Sequence, residues 1–181
     1  MPEPPQDLAA WREALLRALE KDRGGADPGT APARVEGGRT EVLGVEVGGE
    51  QYGFEIGTVA EILLPRPVTP VPRTPQWVLG IASVRGTVLP VVDLASRLGL
   101  APRPPARHNR IVVLRDGEER MGFRVDRVRG VVRLHREGVE SSDYAEAVDP
   151  RFLKGVGYDR EGRLLALLCA SALCDFRVEG P

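Results

Sequence analysis

The chain of 181 residues has few side chains of the kind that serve as a base, a nucleophile or a metal ligand. Its two histidines, His108 and His135, have no partner at the i+3 or i+4 spacing that places two zinc ligands on one helix face. A Ser-His-Asp triad stays open, because its members need not be adjacent in sequence. However, the chain contains no G-x-S-x-G elbow, no phosphate-binding loop and no G-x-G-x-x-G opening a helix. We therefore expect a protein that is not an enzyme and that has no cofactor or metal site.

The two cysteines, Cys169 and Cys174, lie five residues apart in an apolar stretch, without a second pair of ligands for zinc. We expect free thiols rather than a disulfide, since the chain starts without a basic, apolar signal peptide. The longest apolar run, residues 164–174, is about half of the ~20 residues that a membrane span needs. These features predict a soluble, cytoplasmic protein.

Arginine is concentrated in residues 103–136, which contain ten arginines and four acidic residues. A barrel-type nucleic-acid-binding protein that uses this stretch is the alternative function to consider, because such proteins combine basic grooves with stacking aromatic side chains. Phe123 is the only aromatic residue within the stretch, and the whole chain has a formal net charge of −1. A solvated face, or a patch for an acidic protein partner, explains the arginines better.

The N-terminal residues have the pattern of an amphipathic helix. Leu8, Trp11, Leu15 and Leu19 recur at helical spacing, with charged residues between them. A stretch rich in Gly, Pro and Ala then extends to Arg39 and has the composition of a flexible linker. We predict two parts: an N-terminal helix with its linker in residues 1–39, and one folded domain in residues 40–181.

From residue 41 onward the period changes from helical to alternating, which is typical of strands. Three hairpins are predicted, within residues 41–56, 111–126 and 156–168. A β-bulge is expected at Gly130, an edge strand or bulge at Pro90, and an extended connector at the proline-rich residues 65–75. Short helices are expected within residues 94–100 and 169–176. The fold is therefore all-β, and its duplicated hairpins suggest two small barrels that share a core.

The densest motif is the run Gly80-Ile-Ala-Ser-Val-Arg-Gly-Thr-Val-Leu-Pro-Val-Val-Asp-Leu94. It resembles the hallmark of CheW-like domains, a G-x-x-N-x-R-G-x-x-x-P-x-x-D-L pattern with apolar residues at most of the variable positions. Matches continue in order at 52–56, at the V-x-E-I segment 59–62, at 121–128 and at 152–156. The resemblance covers about residues 40–176 and departs at Ser83, where the family usually has Asn.

The resemblance implies a CheW-like pair of intertwined small five-stranded β-barrels. It also implies a non-catalytic adaptor, a chemotaxis coupling scaffold that links chemoreceptor cytoplasmic tips to the regulatory domain of a CheA-type histidine kinase. Arg85 matches the family's prominent arginine, and the remaining partner-binding candidates are Val59, Glu61, Gly80 and Val84. A structural role for Arg85, in which it holds its own Gly86 turn with Asp93 as the candidate partner, stays open at this point. The N-terminal helix has no counterpart in the minimal family member, so it either binds a partner or packs on its own barrel.

Overall fold

The computed structural model describes residues 39–135 and 148–175, which form ten strands, two short α-helices and two 3₁₀ helices. The strands are β1 (Arg39–Val47), β2 (Glu50–Glu55), β3 (Val59–Leu63), β4 (Val78–Val84), β5 (Thr87–Asp93), β6 (Arg110–Asp116), β7 (Glu119–Val125), β8 (Arg127–His135), β9 (Leu153–Tyr158) and β10 (Leu164–Leu168). The helices are α1 (Leu94–Arg97), α2 (Ala170–Cys174) and the 3₁₀ helices Ile56–Thr58 and Pro150–Phe152. The predicted helix and linker of residues 1–39 lie outside the described residues, except for Arg39 at the start of β1.

The strands form two five-stranded sheets, which confirms the predicted all-β class. Strands β1, β2, β10, β9 and β8 close into a barrel, through one residue pair between β8 and β9. The second sheet has the order β3-β6-β7-β5-β4, so its end strands β3 and β4 are not paired with each other in the described part of the chain.

The two sheets repeat one arrangement. Strand for strand, the order β8-β1-β2-β10-β9 corresponds to the order β3-β6-β7-β5-β4. In each sheet the second strand of one hairpin has a parallel neighbour: β10 pairs with β2, and β5 pairs with β7. The strand after each hairpin crosses to the other sheet, so β3 pairs with β6 and β8 pairs with β1. This exchange intertwines the two sheets, as the duplicated hairpins suggested.

Strands at the junction have two buried faces. In β6, Val112 and Leu114 contribute to the large core shared by both sheets, while Ile111 and Val113 contribute to a separate core inside the second sheet. Successive side chains of a strand point to opposite faces. A strand that is buried on both faces must therefore be apolar throughout, which explains the uninterrupted run at 111–114.

The predicted bulge lies where expected. Gly44 of β1 pairs with Gly130 of β8, but the next residue, Val45, pairs with Val128, so Arg129 is the additional residue. Gly130 has a φ of 102°, a conformation that favours glycine. The predicted hairpins and both short helices are also confirmed, and Gly99, with a φ of 81°, follows α1.

Pro90 does not mark an edge strand, so this prediction was wrong. It lies in β5, which pairs with both β4 and β7, opposite Ile81 of β4. The pairing with β7 begins at Val91, one residue later, so the missing N–H of proline falls just before that ladder. The nearby irregularity of register is instead in β4, between Val78 and Gly80.

Candidate functional site

Arg85 lies at the tip of the β4–β5 hairpin and is the most exposed of the predicted partner-binding residues. Val84 pairs with Thr87, so Arg85 and Gly86 form a two-residue loop. Both residues have positive φ, 50° and 85°, as the type I′ hairpin turn requires. A long side chain in this conformation is uncommon. The turn holds the guanidinium outward, with 83% of the side chain exposed.

Glu61 of β3 faces Arg85 across the open side of the second sheet. Its Oε2 lies 3.3 Å from Nη2 of Arg85, and its side chain is only 21% exposed. The pair therefore joins the two end strands that no hydrogen-bond ladder joins. Because Arg85 is almost fully hydrated, the pair contributes less than about 1 kcal/mol to folding. The guanidinium thus keeps most of its donors free for a carboxylate on another molecule.

The carboxylate of Asp93 pairs with Arg124 and not with Arg85, so Arg85 does not hold its Gly86 turn through Asp93. The carboxylate is 4% exposed and accepts hydrogen bonds from Nε of Arg124, at 2.8 Å, and from the backbone N and Oγ of Ser96, both at 2.8 Å. It caps α1 and neutralises Arg124 of the parallel strand β7. Asp93, at the end of the motif, therefore has a structural role, whereas Arg85 has none of comparable strength.

The other three predicted residues pack inward. Val84 is 7% exposed and belongs to the core of the second sheet, and Val59 is half-buried against the shared core. Gly80 is buried beneath the proline-rich connector: a Cβ at this position would lie 2.0 Å from the carbonyl oxygen of Thr69. The connector runs extended along β4 here, since Thr69 and Ile81 exchange two backbone hydrogen bonds. The structure thus brings Glu61 and Arg85 together and places the other three behind that surface.

Exposed apolar side chains on the outward face of β3, and directly after it, were not predicted from the sequence. Ile62 is 44% exposed and Leu64 is 66% exposed, next to the inward-facing Glu61 and Leu63. Strand β3 is paired on one side only, so an apolar face and an unpaired edge occur together beside Arg85. One indication of this exposed face was available in the sequence, because apolar residues occur at successive positions of the strand. The same pattern also fits a strand that is buried on both faces, so it did not predict the exposure.

The arginines of residues 103–136 do not form a single unneutralised surface. Those in strands are divided among β6 and β7 of the second sheet and β8 of the barrel, while Arg103 and Arg107 lie in the loop before β6. In the part of the chain that the structure describes, carboxylates lie within 4 Å of Arg103, Arg124, Arg129 and Arg133. Such pairing reduces the field that would attract a phosphate backbone. The geometry gives the nucleic-acid alternative no support.

Both cysteines are free, as predicted, although only Cys174 is buried and Cys169 is half-buried. Burial, with a smaller contribution from the carboxylates of Asp116 and Glu119, raises the pKa of the Cys174 thiol to about 12. Among the described residues, no cluster of three or more His, Cys, Asp or Glu side chains is arranged to hold a metal ion. Within the same residues, no helix has the length and apolarity to cross a membrane.

The class of molecule is a protein-interaction domain. It consists of two interlocked five-stranded β-sheets, and an exposed arginine and an apolar strand edge lie at the open side of one of them. Comparison with known proteins agrees. Residues 41–177 match the family model described as the CheW-like domain.

Two chemotaxis proteins illustrate the similarity in sequence. The chain is 33% identical to the chemotaxis protein CheW of Rhizobium meliloti over 135 residues, which are 74% of this chain and 86% of that protein. It is 30% identical to the chemotaxis protein CheW of Thermotoga maritima over 128 residues, 71% of this chain and 83% of that protein.

A solved structure shows the same fold. The crystal structure of the scaffolding protein TtCheW from Thermoanaerobacter tengcongensis superposes with a TM-score of 0.69 at 25% sequence identity, covering 78% of this chain and 95% of that one. The chain therefore belongs to the CheW-like domain family. Its function is that of a chemotaxis coupling scaffold in signal transduction.

Proposed function

We propose that this chain works in the cytoplasm, catalyses no reaction itself, and couples the cytoplasmic tips of chemoreceptors to the regulatory domain of a CheA-type histidine kinase. In this proposal Arg85 and Glu61 belong to the partner-binding surface. Val59, Gly80 and Val84 lie behind them and fix the position of strands β3 and β4.

The exposure of Arg85 is the observation that carries the proposal. An arginine held outward by a positive φ, and 83% exposed, gains little stability from its one ion pair. A bidentate guanidinium is suited to a carboxylate on a partner helix. The exposed Ile62 and Leu64 beside it supply the apolar contact area that stable interfaces bury at their centre.

The test is a binding experiment with purified cognate partners. The full-length chain is titrated with a receptor signalling tip and, separately, with the regulatory domain of the kinase. We expect Arg85→Ala to weaken at least one of the two complexes by about tenfold to a hundredfold, the loss that follows from removing one charge-assisted hydrogen bond.

A matched control is available in the other sheet. Arg160 is an exposed arginine in the β9–β10 turn, which corresponds to the β4–β5 turn that carries Arg85. Arg160→Ala should leave both affinities unchanged. Equal affinities for wild type, Arg85→Ala and Arg160→Ala, with folded samples, would contradict the assignment of Arg85.

Exchanging the two charges separates a partner contact from an internal one. The double variant Glu61→Arg/Arg85→Glu can form the same ion pair in reverse. If the pair only joins β3 to β4, the double variant binds like wild type. If the partner reads the guanidinium at position 85, binding stays weak although stability is restored.

A further inference from the structure

A cavity of about 280 Å³ opens on the second sheet, beside the proline-rich connector. It is surrounded by the proline-rich connector after β3, the beginnings of β4 and β6, and the loop before β6. The open ends of β-barrels are a frequent position for small-molecule sites. The volume of the cavity is close to the lower end of the roughly 300–1,000 Å³ that is typical of small-molecule pockets.

The inner wall of the cavity is apolar. Val91 and Ile111 are 0% and 3% exposed and belong to the core of the second sheet. Val68 of the connector and Leu79 of β4 are half-buried and pack against the same core. The wall therefore continues the hydrophobic interior up to the opening, where an apolar chain would be desolvated.

The opening is cationic. Arg66, Arg110 and Arg124 line the cavity, and among the described residues no acidic side chain lines it. Arg124 is neutralised by Asp93. In the part of the chain that the structure describes, Arg66 and Arg110 have no carboxylate partner, although both are half-buried. Two partly desolvated guanidinium groups without a counter-ion favour the binding of an anion.

The hydrogen bonds of these two arginines leave donors available. Arg66 donates through Nη1 to the carbonyl oxygen of Ser83, at 2.9 Å, while its Nε is buried without a partner. Arg110 donates through Nη1 to the carbonyl oxygens of Asn109, at 2.6 Å, and Arg107, at 3.2 Å. Neutral carbonyls orient both side chains but do not compensate their charge. Because Nε of Arg66 is not accessible to solvent, an anion in the cavity would be bound by the remaining guanidinium donors of the two arginines.

We propose that this cavity, the barrel-mouth site, binds a small amphipathic carboxylate. The carboxylate is held by Arg66 and Arg110, and its apolar chain lies against Val68, Leu79, Val91 and Ile111. An eight-carbon carboxylate, with its ten heavy atoms, matches the volume. The site uses none of the residues assigned to the partner-binding surface, so ligand binding and partner binding are tested by separate measurements.

The test uses the full chain and three probes: octanoate, acetate and 1-octanol. Titration calorimetry should show saturable octanoate binding with a Kd in the high micromolar to millimolar range, as expected for about ten heavy atoms. Acetate has the charge without the chain and 1-octanol has the chain without the charge. Both should bind at least tenfold more weakly than octanoate.

Variants identify the site. Arg66→Gln and Arg110→Gln should each weaken octanoate binding by about tenfold or more, because each removes a charge-assisted contact. Arg107→Gln is the matched control, since Arg107 is exposed and does not line the cavity. Val68→Trp should fill the cavity and abolish binding, with circular dichroism and the melting temperature reporting that each variant is folded.

Three results would overturn the proposal: no saturable octanoate binding at millimolar concentrations, equal affinities for octanoate and 1-octanol, or an Arg66→Gln variant that binds like Arg107→Gln. The first would leave the cavity without this class of ligand. The second would reduce it to an unspecific apolar surface, and the third would place the anion elsewhere. None of the three results tests partner binding at the Arg85 surface.

Discussion

Removing the carboxylate of Asp93 tests how the motif stabilises the fold. In Asp93→Ala, Arg124, whose side chain is 21% exposed, loses its carboxylate partner, and α1 loses its N-cap. Breaking a buried ion pair by removing one partner costs about 3–5 kcal/mol, and losing a cap costs about 1 kcal/mol. Partial exposure of Arg124 allows water to hydrate the remaining charge, so we expect a total loss of about 3–4 kcal/mol. That is a large fraction of the roughly 5–15 kcal/mol that stabilises a typical domain.

The assay is urea unfolding at neutral pH with a matched exposed pair for comparison. Glu41 and Arg133 form an ion pair of 2.8 Å in which both side chains are 54% exposed. Glu41→Ala should therefore cost less than about 1 kcal/mol. If Asp93→Ala and Glu41→Ala lower the free energy of unfolding by equal amounts, the argument from burial is refuted.

A double variant separates the stranded charge from the lost cap. Arg124→Met in the Asp93→Ala background removes the uncompensated guanidinium, and it should recover about 1–3 kcal/mol because the destabilising group is gone. A double variant that is less stable than Asp93→Ala would show that Arg124 stabilises the fold through other contacts. The stranded-charge explanation would then fail.

Three further predictions concern single positions. Gly80→Ala should destabilise the domain by several kcal/mol, because the added Cβ would overlap the Thr69 carbonyl and residue 80 has a φ of 134°. Gly57→Ala is the control and should be tolerated, since the space around Gly57 is open. Equal melting temperatures for the two variants would contradict this prediction. Burial acts to raise the pKa of Asp159, but hydrogen bonds from the backbone and side chain of Arg163 and from the backbone N of Glu161 outweigh it and lower that pKa. A carboxyl group whose pKa is lowered by folding stabilises the folded state above the unfolded-state pKa of about 3.9, and this stabilisation is lost as the pH falls below that value. The difference in the free energy of unfolding between wild type and Asp159→Asn should therefore be present at pH 7 and shrink on acidification. A difference independent of pH would disprove this. Because the pKa of the Cys174 thiol is about 12, Cys174 should resist alkylation by iodoacetamide at pH 8 until the protein unfolds. The half-buried Cys169 should be alkylated first, and mass spectrometry of the alkylated protein gives the order. The reverse order would be inconsistent with the burial of Cys174.

The sequence alone determined the local features of this protein. Alternation of apolar residues predicted the hairpins, and glycine predicted the turn after Val47 and the bulge at Gly130, because period two and positive φ are properties of a few neighbouring residues. The run from Gly80 to Leu94 also indicated the family, since it preserves the residues of one hairpin and its following helix in order.

Only the tertiary structure decided which distant groups meet. Asp93 pairs with Arg124, 31 residues away, and not with Arg85, because β5 lies parallel to β7 and no local pattern encodes that choice. Pro90 lies inside the sheet for the same reason, and Glu61 reaches Arg85 because β3 and β4 end the same sheet. Which strands become neighbours depends on how two hydrophobic faces are buried at once across the whole chain. A sequence pattern specifies which face of a strand is apolar. Which other strand packs against that face is fixed only when the two sheets exchange strands and enclose a common core.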